Sequence, residues 1–570
     1  MNYLYTLLLT HLLAFQNAIL FAQSSIDWVY HSPIYRQTFS SPKAVDLNGD
    51  DYDDIIISNM IFEQDSLYSE VICLNGRNGD VIWKCNLDNK YLYGNTVFCD
   101  VNNDNIKDVF IAGGFGGLYC INGNSGTLIW KFYNDTIPAE KNNVFNFYNP
   151  KVINDQNRDG INDLIIINGG NQLIEPHAPG RKTGYLLIVD ASNGHIIAKD
   201  SFPDRKESYF SPIIFTQGND TMVIYGTGGE TDTGSLWLCE LKDVRENKVF
   251  LNSTRIDGPY NKGFIQPCIL ANFNQDTILD ILSINLDGKM NLLDGNTHQY
   301  IWQNNFTGFE IYTEPSIVFA NSDNIPDIYL KLSKGEFNDE APYQGFKGIV
   351  IDGQNGTYTE IDSLGYYYCF TTACSFIKNG QNKILQVHNI LQNDTTFVGL
   401  SEIDINNGSS TDTVYMPFAS CYNSTPFLKN LNSDSLSELI TVFNTRDSGY
   451  YVICKSTDIN SDSILWGTYY GNDENSIFNS KNILTSTNEQ VKKISSLKIQ
   501  PNPASQFIQL TELKNSIKID IFIYNTSGGI IKYYKDYRQN NIDISSLQNG
   551  IYLVKVKENS IEYFGKFIKM

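Results

Sequence analysis

Short apolar runs recur along most of the chain, each closed by a polar cluster rich in Asp, Asn and Gly. Runs of this length, rich in Ile and Val and bounded by turn residues, predict buried β-strands. Their order repeats. The strand Ala44-Val45 leads into the loop Asp46-Leu47-Asn48-Gly49-Asp50-Asp51-Tyr52-Asp53-Asp54. A second strand follows at Ile55-Ile56-Ile57, a third at Val71-Ile72-Cys73-Leu74 and a fourth at Val81-Ile82-Trp83. Between the last two stands Asn75-Gly76-Arg77-Asn78-Gly79, which suits a reversal with positive φ.

The same grammar returns at Leu118 to Ile121 with Leu128-Ile129-Trp130, and at Leu186 to Val189 with Ile196-Ile197. Later echoes are Leu292-Leu293-Asp294-Gly295 with Trp302, Ile349 to Gly353, and Ile403 to Gly408. The fifth loop position falls at Asp50, Asp104, Asp159, Asp276, Asp323 and Asp434, with gaps of 54, 55, 117, 47 and 111 residues. Each long gap is about two periods, so each holds one unit without a loop, near Pro212 to Phe215 and near Ala373 to Phe376. The pattern predicts an all-β fold: a β-propeller of eight four-stranded blades over residues 24–470, with seven as the alternative. Trp28, within Ile26-Asp27-Trp28-Val29-Tyr30, precedes the first loop and resembles a fourth strand without a unit. It is expected to complete the last blade near Leu465-Trp466 and so cover sheet edges.

The loops carry the candidate chemistry. Oxygen side chains stand at positions 1, 3, 5 and 9: Asp46, Asn48, Asp50 and Asp54; Asp100, Asn102, Asp104 and Asp108; Asp155, Asn157, Asp159 and Asp163. Alternating Asp and Asn in a tight loop supplies the oxygens a hard cation takes, so these three loops are the expected Ca2+ sites. The set decays afterwards. Asn272, Asn274, Asp276 and Asp280 have a weaker first ligand, Asn321, Asp323 and Asp327 follow Phe319 in that place, and Asn430, Asn432, Asp434 and Glu438 are similarly softened.

Net charge is -21, against general nucleic-acid binding, which needs a basic face. Residues 495–570 hold ten Lys/Arg and six Asp/Glu, a shift that marks a domain boundary. The ten cysteines form no Cys-x-x-Cys, so zinc-ribbon, thioredoxin-type and c-type haem motifs are unsupported. Cys73, Cys120 and Cys454 sit in strand contexts, and Cys369/Cys374 is the closest-spaced disulfide candidate. Residues 1–22 are apolar and precede any acidic residue, reading as a signal peptide cut after Ala22, although the first basic residue is Arg36. No other stretch approaches the length of a membrane span.

Beyond Trp466 the chain turns polar, and 471–494 reads as a linker. A new alternating pattern then predicts a small β-sandwich over 495–570: Leu497 to Ala504 (with Pro501-Asn502-Pro503), Phe507 to Leu510, Ile519 to Asn525, and Ile542 to Val556. Pro-Asn-Pro-Ala, the Gly528-Gly529 turn, Asp543-Ile544-Ser545-Ser546-Leu547 followed by Gly550-Ile551-Tyr552, and a basic end resemble the type A sorting domain of type IX secretion. Gln500 and Gly529 depart from its usual residues. This resemblance implies export across the outer membrane of a Gram-negative bacterium, with the secretion machinery as partner and a secreted or surface destination. The loop-plus-strand units of 40–470 resemble FG-GAP/VCBS repeats, and the Asn-Gly-x-x-Gly…Trp segments are also similar to quinoprotein-like propellers. The former implies structural calcium.

No catalytic motif emerges. His31, His177, His195, His298 and His388 show no metal-binding spacing, and His195 and His298 fall in turns. No Gly-x-Ser-x-Gly or phosphate loop is present. Glu310, Glu314, Glu336 and Glu340 are the candidate acid and base. Asp-Ser/Thr-aliphatic triplets, among them those at Asp276, Asp434 and Asp462, resemble O-glycosylation acceptors. The long connections Asn168 to Gly184, Gly226 to Gly234 and Ser333 to Gly348 are the expected ligand-contact loops. The sequence therefore predicts a non-catalytic, exported propeller that binds a glycan or protein. The alternatives are a polysaccharide lyase or hydrolase, a quinoprotein-like oxidoreductase, or a structural surface component.

Overall fold

The computed structural model describes residues 26–472, 475–479 and 494–570, apart from short internal segments, the longest being 133–145, 175–182, 336–344 and 511–518. The expected signal peptide and most of the expected linker lie outside the described residues. The chain divides into two compact units, residues 1–483 and 484–570.

The described residues of the first unit form eight sheets, all antiparallel and of four or five strands, and their arrangement is a β-propeller. In chain order the strands of each sheet step outward from its first, as in Lys151–Ile153, Asp163–Asn168, Tyr185–Val189 and Ile196–Ser201 of the third. The continuous apolar runs have a simple cause: the middle strands are covered on both faces. In the first sheet Ile55, Ile57 and Ile72 pack with Val442 and Val452 of the eighth. The alternate residues Ile56, Val71 and Cys73 pack with Val109, Ile111 and Tyr119 of the second. The first sheet thus has the last as one neighbour, and the series closes on itself.

Outer-strand tryptophans bolt four of the eight sheets to the next. Indole Nε1 of Trp83 donates to the Gly123 carbonyl at 2.7 Å, Trp130 to Ala191 at 2.8 Å, and Trp302 to Gly353 at 2.8 Å. Trp28 does the same to Gly76 of the first sheet, at 2.7 Å. Its strand, Trp28–Ser32, pairs with Gly449–Asn460 of the eighth sheet, so the amino terminus supplies the outermost strand of the last sheet. The expectation that it meets Leu465-Trp466 is corrected. Ile464–Trp466 instead pairs with Cys374–Lys378, on the inner edge of the seventh sheet.

The two units without an acidic loop turn by tight hairpins, with Gln217 paired to Asp220 and Lys378 to Gln381. In the fourth sheet two short helices, Leu241–Arg245 and Val249–Asn252, replace the Asn-Gly turn.

Beyond Ile464 the chain runs through the middle of the ring. The Gly467 carbonyl accepts from Leu428 N at 2.8 Å, and the Tyr469 carbonyl from Lys43 Nζ at 3.3 Å. Tyr469 Oη donates to Gln266 Oε1 at 3.2 Å, and Asn149 Nδ2 donates to Tyr470 Oη at 2.9 Å. Asn475 Oδ1 accepts from Ile214 N at 3.3 Å, and Leu270 N donates to the Ser476 carbonyl at 2.8 Å. Glu314 Oε2 accepts from Tyr470 N at 2.8 Å, and Oε1 from Ser476 Oγ at 3.0 Å. With Ser375, these partners belong to the first strands, or the approaches to them, of every sheet but the second. One short segment reaches them all because those strands stand around it. The start of the expected linker is therefore a packed part of the propeller: Tyr470, Ser476 and Phe478 are buried.

The second unit has a five-stranded and a three-stranded sheet sharing one core, including Ile508, Ile521, Ile523, Ile542, Val554 and Phe567. Ile519–Tyr524 alternates buried and half-buried, as its sequence predicts. It is a small β-sandwich.

Candidate cation loops and ligand face

The three acidic loops share one curl. Asp46 takes Gly49 N on Oδ1 at 2.8 Å and Asp51 N on Oδ2 at 3.0 Å. Asp100 takes Asn103 N at 2.7 Å and Asn105 N at 2.9 Å, and Asp155 takes Arg158 N at 2.6 Å and Gly160 N at 2.8 Å. At the third position Asn48, Asn102 and Asn157 accept from the backbone N–H two residues on, at 3.0, 2.9 and 3.0 Å. At the fifth, Asp50, Asp104 and Asp159 do likewise, at 3.0, 2.8 and 2.8 Å. The curl needs left-handed backbone at its sixth position, filled by Asp51 (φ 61°), Asn105 (φ 66°) and Gly160 (φ 92°). Each curl turns oxygens only, the donor chemistry of a hard cation.

The ninth position behaves differently. Asp54, Asp108 and Asp163 are fully buried. Asp54 accepts from Leu47 N at 3.0 Å and Gly76 N at 3.3 Å, and Asp108 from Val101 N at 3.0 Å and Gly123 N at 3.1 Å. The carboxylate ties the acidic loop to the turn between the third and fourth strands. Position 9 stays in reach of the curl, Asn48 Nδ2 donating to Asp54 Oδ1 at 3.1 Å and Asn102 Nδ2 to Asp108 Oδ1 at 3.5 Å, and has this bracing role besides. Burial pushes Asp54 and Asp163 up to about 6, against the pull of these backbone donors. Asp280 and Asp327 repeat the brace, to Gly295 N at 3.1 Å and Gly353 N at 3.0 Å. Among the described residues, no group of three or more His, Cys, Asp or Glu side chains converges to hold a metal. In the softened loops the first-position amide closes the curl itself: Asn272 and Asn430 donate through Nδ2 to the carbonyls of Asp276 and Asp434.

The opposite face is formed where second strands end and first strands begin. Two second strands, Asp163–Asn168 and Asp280–Asn285, end in Asn there, a signal not read from the sequence. Asn168 Oδ1 accepts from Asn146 N at 2.9 Å, and Asn285 Nδ2 donates to the Gly263 carbonyl at 3.0 Å. Half-buried aromatic side chains stand beside them in pairs: Tyr148 with Tyr209, ring centroids 5.6 Å apart, and Tyr312 with Phe370, 4.9 Å apart. A Cβ on Gly169 would lie 2.9 Å from the Tyr148 ring, and one on Gly229 2.7 Å from Tyr209. The first two long connections therefore spring from this aromatic surface. Residues 175–182, with His177, and 336–344, with Glu336 and Glu340, lie outside the described residues. Glu310 pairs with Lys262, while Glu314 serves the central segment, so the two carboxyls have separate partners. His298 occupies a turn with φ 54°, and His31 stacks on Tyr451.

The buried strand cysteines Cys73, Cys120 and Cys454 line the core as expected. The Cys369/Cys374 pairing is corrected. Cys374 Sγ points to the Gly467 carbonyl at 3.1 Å, whereas Cys369 Sγ lies 3.4 Å from the Val387 carbonyl.

Residues 498–570 match the family described as the secretion system C-terminal sorting domain. A search of curated proteins finds no match to the chain. Among solved structures, the chain is similar to a quinohemoprotein alcohol dehydrogenase from Comamonas testosteroni, at 13% identity, a TM-score of 0.49 and 76% of each chain. It is also similar to a europium-containing methanol dehydrogenase, at 10% identity and a TM-score of 0.48, over 76% of this chain and 93% of that one. A third is BamB from Moraxella catarrhalis, at 10% identity and a TM-score of 0.37, over 73% and 99%. Fold and sorting domain together define a β-propeller exported by type IX secretion.

Proposed function

We propose that this is a non-catalytic binding protein, delivered to the surface or surroundings of a Gram-negative bacterium, whose propeller takes a glycan or protein ligand on the aromatic face. Each of the eight sheets counts as one blade. The observation that carries the reading is the set Tyr148, Tyr209, Tyr312 and Phe370. These are paired, half-buried rings on the approaches to four different blades, beside the long connections. Aromatic rings offer flat apolar area with a polar tip and little rotamer entropy to lose, which suits stacking against sugar rings or a peptide. Calcium in the FG-GAP/VCBS-like loops at Asp46, Asp100 and Asp155 has a structural part on the other face.

The test is a glycan and protein array probed with the full chain and with the double variant Tyr148→Ala/Tyr209→Ala. Specific binding that the variant loses supports the reading. Dye-linked oxidation with added quinone, or polysaccharide breakdown, by the same preparation would overturn it in favour of an enzyme.

A further inference from the structure

Cys369 and Cys421 lie at the seam between the seventh and eighth sheets. Each is 1% exposed, and both belong to one apolar cluster. The Cys369 thiol lies on the Val387 carbonyl at 3.4 Å. Cys421 is gripped from both sides by one amide: its N–H donates to Asn389 Oδ1 at 2.9 Å, and its carbonyl accepts from Asn389 Nδ2 at 2.8 Å. Val387 and Asn389 are alternate residues of the strand Gln381–Gln392, so the anchors stand about 6.6 Å apart along it. Both cysteines are thus held against one short stretch of that strand. Cys369 Sγ also lies 3.4 Å from Thr371 Oγ1, and Cys421 Sγ donates to the Ser424 carbonyl at 3.3 Å. The two thiols are near enough that each shifts the other's ionisation. The positive charge of the buried Lys331 favours the thiolate of Cys369.

We propose that Cys369 and Cys421 are joined by a disulfide in the exported protein, a covalent bolt across this seam. Exported proteins meet oxidising conditions in which such bonds persist. The oxidant is a disulfide-bearing donor, either a protein dithiol oxidant or oxidised glutathione. Cys369 loses its proton and attacks one donor sulfur, expelling the other as a thiolate. The Cys421 thiolate then attacks the mixed disulfide at the Cys369 sulfur and releases the donor's second thiolate. Two protein thiols are oxidised, one donor disulfide is reduced to two thiols, and both protons pass to them or to solvent. Because both sulfurs are buried in the folded ring, the exchange accompanies folding.

The experiment uses the full chain, exported and purified without reductant, then unfolded in the presence of an alkylating reagent and digested. Mass spectrometry is expected to find the peptides of Cys369 and Cys421 linked, lighter by two hydrogen atoms than their sum, and separated by reductant. Recovery of both peptides singly alkylated, or of either linked to Cys374, would overturn the proposal. The melting temperature is a second readout. Reductant is expected to lower it by several degrees in the wild type and in Cys374→Ser, but not in Cys369→Ser/Cys421→Ser. Equal reductant sensitivity in the double variant would also overturn it.

Discussion

Single residues decide how the sheets lock and what the buried charge costs. Gly126 has φ 70°, and a Cβ there would stand 2.7 Å from the Trp83 ring. Gly126→Ala combines backbone strain with a clash at a sheet junction and is expected to cost about 2 kcal/mol in denaturant unfolding. Glu314 shows the electrostatic side. Burial raises its carboxyl from 4.5 to about 7, opposed by Tyr470 N, Ser476 and Trp466. A carboxyl raised on folding holds its proton more tightly in the native state. Its contribution is complete below about pH 4.5 and is lost as pH rises through 7. The shift is worth on the order of 3 kcal/mol. Melting temperatures measured from pH 4.5 to 8 should therefore fall more steeply in the wild type than in Glu314→Gln. Parallel curves would contradict this account. The sequence offered Glu314 as one of four candidate acids but not its buried place, because that burial is created by a segment more than 150 residues away.

At the scale of elements, the acidic loop is a brace as well as a candidate cation loop. Asp54→Ala leaves the buried N–H groups of Leu47 and Gly76 without their acceptor and is expected to cost about 2–4 kcal/mol, measured by denaturant titration. Chelation addresses the proposed cation instead. EDTA should lower the melting temperature of the wild type, with calcium found by elemental analysis, and should change Asp46→Ala/Asp100→Ala/Asp155→Ala much less. The decay of the loops was legible, since Asn in place of Asp at the first position is a sequence fact. What it does instead, donating Nδ2 to the carbonyl of Asp276 or Asp434, was not legible, because spacing shows which atoms are present but not which way an amide turns. Exposed Thr277 and Ser435 leave two of the O-glycosylation-like triplets accessible.

For the whole molecule, closure rests on two chain ends used in unlike ways. Trp28–Ser32 joins the eighth sheet to the first, and residues 464–472 with 475–478 fill the centre. Deleting residues 26–32 exposes the edge of Gly449–Asn460 and removes one indole bolt. Unfolding should then lose its single cooperative transition, seen as separate near- and far-UV circular dichroism midpoints. A shortened chain ending at residue 483 should keep the full-length propeller's melting transition, because residues 484–570 form a compact unit of their own. It should also fail to leave the cell, measured by fractionation.

The sequence by itself determined the strand order, the repeat with its two loop-less units, the acidic curls and the sorting domain. Each is written in local chemistry: apolar runs, turn glycines, and side-chain oxygens two residues apart. The use of Trp28 as an outer strand was also legible, because an unpaired fourth-strand motif has one vacancy to fill in a closed ring. Only the tertiary structure decided the rest: the brace made by Asp54, the central path of Tyr469, Tyr470 and Ser476, the aromatic face, and the meeting of Cys369 with Cys421. These depend on which distant strands converge. Polar residues such as Asn475 and Ser476 look solvent-bound in sequence until partners like Ile214 and Glu314 are brought around them to satisfy their hydrogen bonds.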